Sequence, residues 1–217
     1  MFKRSLLTFF ALLLLASVSL VSLWPLFALK DSLEPSTLLL VCCLWGAGAA
    51  LSFLVALRLL ISKIWVFRGT GEPATLEHLQ ELLLGINDTQ GPVQVTRKGQ
   101  RLVFTWRYHE LQWCERFSRL SLNRLYELHC RFDPDTRTVL LLDRMRTADF
   151  LICPDQVKIG WLRIPLPLFR VRPRRLGTIA QYATLGPEAY QFHPREIKAP
   201  VMGTLLASGW NVRFRLF

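Results

Sequence analysis

The chain has 217 residues, 51% of them apolar and 20% charged, with 27 Lys and Arg against 16 Asp and Glu for a net charge of +11. That length holds one ordinary domain and little besides, and so apolar a composition excludes a disordered chain. The positive balance points away from cationic partners and toward anionic ones, either lipid headgroups or nucleic acid.

The apolar residues are concentrated at the start. Residues 5–64 carry only Lys30, Asp31, Glu34, Arg58 and Lys63 as charged groups. Leu6–Leu29 is a run of 24 uncharged residues. As a helix it reaches roughly 36 Å, enough to cross a bilayer core of ~30 Å with some tilt. Pro25 lies near its far end, where a kink is tolerated, and Trp24 and Phe27 suit the aromatic belt there. A secretory signal peptide has a shorter apolar region, of about 7–15 residues. This run continues well past the small residues Ala16–Ser19, so it reads as a retained anchor.

Leu38–Ile61 is a second apolar run of 24 residues, whose one charge, Arg58, is near its end and can snorkel to the headgroups. Trp65 and Phe67 follow as expected interface anchors. Gly46, Ala49, Ala50 and Ala56 recur at helical spacing in this run and form a small-residue face. Such a face lets backbones approach closely, either within the hairpin or against another copy or a partner's helix. Neither run contains an intramembrane acid or His of the kind a transport path uses.

Lys3 and Arg4 precede the first run, and Arg58, Lys63 and Arg68 close the second, while Lys30 is the only Lys or Arg between them. The positive-inside rule then places both termini in the cytoplasm, with bacterial inner membrane as the expected location. The expected organisation is a two-helix membrane anchor over 1–68 and a cytoplasmic α+β domain over 69–217.

In the second part, Gly69–Pro73 reads as a linker and Ala74–Ile86 as an amphipathic helix. From Val93 the period is two. Val93–Arg97 and Arg101–Tyr108 flank Lys98-Gly99-Gln100 and predict a hairpin. Residues 109–124 fit either a helical stripe of Trp113, Phe117, Leu120 and Arg124 or a loop with a short strand. Leu125–Phe132 alternates again, Asp133–Thr136 is a turn, and Thr138–Asp143 a returning strand. Val157–Ile164 is another strand, followed by an irregular stretch over 172–195. Pro200 suits a first helical turn for a short helix over Val201–Ala207, and Trp210–Leu216 closes the chain as a strand. The fold class is a membrane α-hairpin followed by an α+β domain with a mostly antiparallel sheet of about five to seven strands.

Candidate chemistry is sparse. His109, Cys114, His129, Cys130 and Cys153 have no metal-ligand spacing, and adjacent residues on a strand point to opposite faces. No phosphate loop, nucleophile elbow or cofactor motif is present, so no cofactor or metal is expected. The cysteines read as small buried hydrophobes in a reducing compartment. Arg163, Arg170, Arg172, Arg174 and Arg175 interleave with Leu168, Phe169 and three prolines. Such a segment suits anionic lipid or an acidic partner, with Leu168 and Phe169 dipping into the headgroup layer. It suits equally well an edge strand whose Arg side prevents edge-to-edge pairing. The expected function is a membrane-anchored scaffold or accessory subunit that binds a protein partner, another copy, or anionic inner-leaflet lipid. The alternatives are a membrane enzyme acting on a lipid-linked or hydrophobic substrate, and, less favoured, a tethered nucleic-acid binder.

Overall fold

A computed structural model describes residues 2–29, 34–149, 158–163, 176–184 and 186–215. It divides into two compact units, Met1–Trp65 and Val66–Phe217.

The first unit is helical. α1 (Phe2–Val21) and α2 (Trp24–Leu29) are consecutive pieces of the first apolar run, and α3 (Pro35–Ile64) contains the second. The break between α1 and α2 has a local cause. Pro25 has no N–H and its ring crowds the carbonyl four residues back, so the helix is interrupted just before it. Leu23 N bonds Leu20 O at 3.1 Å, three residues back, and tightens that last turn. Leu6–Ala28 and Pro35–Ile64 each contain an 18-residue stretch, of mean hydropathy 2.5 and 2.3, and both are long and apolar enough to cross a membrane. Their hydroxyls are spent internally: Ser17 bonds Leu13 O, Ser19 bonds Leu15 O, and Ser52 bonds Ala49 O. Two indoles tie the helices together. Trp45 Nε1 donates to Ser22 Oγ at 3.0 Å, and Trp65 Nε1 donates to Thr8 Oγ1 at 3.3 Å.

The second unit is α+β. In chain order it contains β1 (Val66–Phe67), α4 (Leu76–Leu84), a 3₁₀ turn over Gly85–Asp88, β2 (Val93–Lys98), β3 (Arg101–Trp106), α5 (Leu111–Arg119), β4 (Arg124–Asp133) and β5 (Thr138–Asp149). There follow β6 (Lys158–Arg163), α6 (Gln181–Thr184), α7 (Pro194–Ala207) and β7 (Asn211–Arg215). The sheet order is β1-β7-β5-β4-β3-β2, with β6 also paired to β5. All pairings are antiparallel except β5 with β7, which runs parallel over Thr138–Leu142.

Alternation along the strands builds one apolar face. Leu102, Phe104 and Trp106 of β3, Leu128 and Cys130 of β4, Val139 and Leu141 of β5, and Val212 and Phe214 of β7 are all buried. Register pairs place them on the same side. Leu79 and Leu83 of α4, Trp113 and Phe117 of α5, and most of α7 complete this core. Phe192 is a hub, with its ring centroid 4.5 Å from that of Phe117 and 5.2 Å from that of Trp106.

Four expectations change. Residues 69–74 are docked rather than a free linker: Thr70 N bonds Leu206 O at 2.9 Å, Gly69 N bonds Asn211 Oδ1 at 3.1 Å, and Trp210 Nε1 bonds Ala74 O at 2.9 Å. Phe67 is a buried residue of β1 whose ring packs at a tilt against Phe214, not an interface anchor. The ambiguous 109–124 stretch contains α5, whose Trp113, Cys114 and Phe117 face inward at spacings of one, three and four. Finally, α7 begins at Pro194, not near Pro200, so Pro200 is inside it. A residue at 200 would normally donate to the Glu196 carbonyl. The Tyr182 hydroxyl does so instead, at 2.9 Å, and the helix survives its proline.

Candidate functional site

Three groups of chemically capable side chains stand out among the described residues of the second unit. The first is at the centre of the core. Lys198 of α7 is 3% exposed, and its Nζ donates to Asp143 Oδ2 of β5, while Tyr126 of β4 donates its hydroxyl to Asp143 Oδ1. The ammonium also lies 4.1 Å from the centroid of the Phe214 ring. Tyr126, Asp143 and the neighbouring Cys130 share the helix-covered sheet face. Burial, then the Asp143 charge, holds the Tyr126 phenol well above its usual range, and burial does the same to the Cys130 thiol. The arrangement satisfies each charge internally.

The second group is on the opposite sheet face. His129 Nε2 lies 3.0 Å from Glu127 Oε2, and Arg146 Nε lies 3.2 Å from Glu127 Oε1. The hydrogen bond to His129 and the Arg146 charge hold the Glu127 carboxyl below its usual range, against the opposing effect of burial. Glu127 and Arg146 also act on the nearby Tyr108 phenol, which burial raises. The sheet face thus carries a buried ion-pair network in which His129 is next to Cys130 along β4 but on the other side, as alternation requires.

The third is a cleft of about 400 Å³ at the start of α7, lined by Leu176, Gly177, Gln181, Arg195, Glu196 and Pro200. Glu196 is the third residue of α7. Its Oε1 accepts at 3.2 Å from Gln191 N, in the segment that leads into the helix, and its Oε2 is buried without a hydrogen-bond partner among the described residues. Burial raises the Glu196 carboxyl. Burial and then the Glu196 charge push the Tyr190 phenol up to about 12.

Of the residues singled out in the sequence, Arg163 is the last residue of β6 and pairs with Met145. Leu168, Phe169, Arg170, Arg172, Arg174 and Arg175 lie outside the described residues. On α3, Gly46, Ala49 and Ala56 are half-buried and Ala50 is exposed. A Cβ added at Gly46 would meet nothing within 4 Å. Cys42, Cys43 and Cys130 are free thiols, but Cys114 is disulfide-bonded, which corrects the reading of the cysteines as lone hydrophobes. Among the described residues no three His, Cys, Asp or Glu side chains converge as metal ligands.

Sequence reasoning missed Lys198 and Asp143. The available signal was a lone Lys within the apolar stretch Ile197–Met202. A buried cation in such a run requires a buried anion, but the anion is on a strand 55 residues away.

No family model, curated protein or solved structure matches this chain.

Proposed function

We propose that the chain is a membrane-anchored scaffold or accessory subunit, with the α+β unit presented at the inner face of the membrane. The observation that supports this most is how the capable groups are used. Asp143, Lys198 and Tyr126 bind one another inside the core, and Glu127 binds His129 and Arg146. They serve the fold, and the exposed surface is left for contact. The anchor reading is supported by the first unit, where Leu7, Phe9, Phe10, Leu14, Leu39, Leu44 and Leu51 are all more than half exposed. Water does not tolerate so large an apolar surface, whereas lipid does.

The inward orientation of both ends follows from the Lys and Arg count. The Cys114 disulfide pulls the other way, because disulfides persist in oxidising compartments. On the cytoplasmic reading it is a bond that reducing agents open.

A scaffold co-purifies with a partner in fixed ratio from mild detergent. Isolation of the full-length chain alone and monodisperse, with no second species under gentle solubilisation, contradicts the reading.

A second reading is a membrane enzyme, and the α7 cleft favours it. Glu196 there has a carboxyl raised by burial, next to Arg195 and Gln181. Its test is Glu196→Gln. Loss of an activity on a hydrophobic substrate, with unchanged thermal stability, supports the enzyme over the scaffold.

A further inference from the structure

The sheet face opposite α7 bears a row of cations. Register partners share a face, so the pairs Val66–Arg213, Arg213–Leu140, Leu140–Arg131, Arg131–Arg101 and Arg101–Lys98 trace one row across β1, β7, β5, β4, β3 and β2. With strands about 4.8 Å apart, the cations from Lys98 on β2 to Arg213 on β7 span about 19 Å. Lys98, Arg101, Arg131 and Arg213 are exposed. None of the four has an ion-pair partner among the described residues.

Like charges directly opposed across strands destabilise a sheet, and this row contains two such pairs, Lys98 with Arg101 and Arg101 with Arg131. The nearby acids do not relieve them. Glu127 is held by His129 and Arg146, and Asp133, two residues beyond Arg131, takes the Thr136 hydroxyl at 2.8 Å. An external array of anions would offset the repulsion. A row this broad on a sheet face suits a surface better than a small ligand.

Chain connectivity favours a membrane surface over nucleic acid. The first residue of the row, Val66, is two residues past Ile64, the end of the apolar helix α3. We propose that Lys98, Arg101, Arg131 and Arg213 form a docking row for the anionic phospholipid headgroups of the leaflet in which α3 ends. This rests on the reading of α3 as a membrane span.

The test uses the full-length chain. Alkaline carbonate washing of membranes first checks the anchor. The detergent-purified protein is then given an equal mixture of phosphatidylglycerol and phosphatidylcholine, and retained lipids are counted by native mass spectrometry. Wild type is expected to prefer phosphatidylglycerol, with the preference falling at high salt. Lys98→Gln, Arg101→Gln, Arg131→Gln and Arg213→Gln each lower that preference by about fivefold at low salt, and combined they abolish it. A control with the same charge loss (Arg97, Arg119, Arg124 and Arg137, all to Gln) keeps it.

A row variant that retains the preference overturns the proposal while leaving the anchor intact. A control that loses as much shows net charge at work and also overturns it, as does displacement of the lipid by a DNA oligonucleotide. Release of the wild type by carbonate overturns the anchor reading and the proposal with it.

Discussion

Lys198 is a cation inside a helix whose residues from Ile197 to Leu206 are all buried. Among the described residues its ion-pair partner is Asp143, which also binds Tyr126. Removing one member of such a pair strands the other without solvent. Lys198→Ala is therefore expected to destabilise the protein by about 3–5 kcal/mol, measured by denaturant unfolding in detergent. The double variant Asp143→Leu/Lys198→Met removes both charges, and its cost should fall well below the sum of the single changes. Additive costs would show that the two residues do not form a coupled pair.

Glu127 gives a pH signature at the same scale. Its folded pKa lies below the unfolded value, chiefly through His129. It therefore contributes stability above the usual carboxylate range, and that contribution is lost as pH falls through the lowered folded pKa. Melting temperature followed from neutral to acid pH should drop along this limb. Glu127→Gln should flatten the drop, and an unchanged acid limb in the variant would count against the network.

At the scale of elements, α7 is the piece around which the second unit is organised. Its proline-interrupted carbonyl at Glu196 is satisfied by Tyr182 from another segment. Tyr182→Phe leaves that carbonyl buried without its donor and should cost about 1–3 kcal/mol. A melting temperature equal to wild type would mean that the proline gap is satisfied otherwise. The far end of α7 is closed by the strap at residues 69–74. There a Cβ on Gly71 would lie 1.5 Å from Ala207 O, so only glycine fits.

These elements also show what the sequence could and could not disclose. The β2–β3 hairpin is legible because its period-two pattern and its Lys98-Gly99-Gln100 turn are local. Gly99 has a positive φ of 59°, as such a turn requires. The start of α7 is not legible, because Pro200 reads locally as a first turn and its rescue by Tyr182 is 14 residues from Glu196. The parallel pairing of β7 with β5 is equally hidden, since nothing within either strand specifies a partner so far away. In the central cluster, the lone Lys198 of an apolar stretch is a local signal that went unused, whereas Asp143 reads as an ordinary strand end.

For the whole molecule, charge bias along the chain and the disulfide at Cys114 make opposite statements about one side of a membrane. The basic sheet row and the two apolar helices take their proposed roles only if the second unit meets a bilayer. The central claim is a helical hairpin with both ends in the cytoplasm. It is tested most directly by fusing to the C-terminus a paired reporter, green fluorescent protein for the inside and alkaline phosphatase for the outside. The account predicts fluorescence without phosphatase activity. Phosphatase activity without fluorescence would contradict it, and would place the second unit and its Cys114 disulfide in the oxidising compartment.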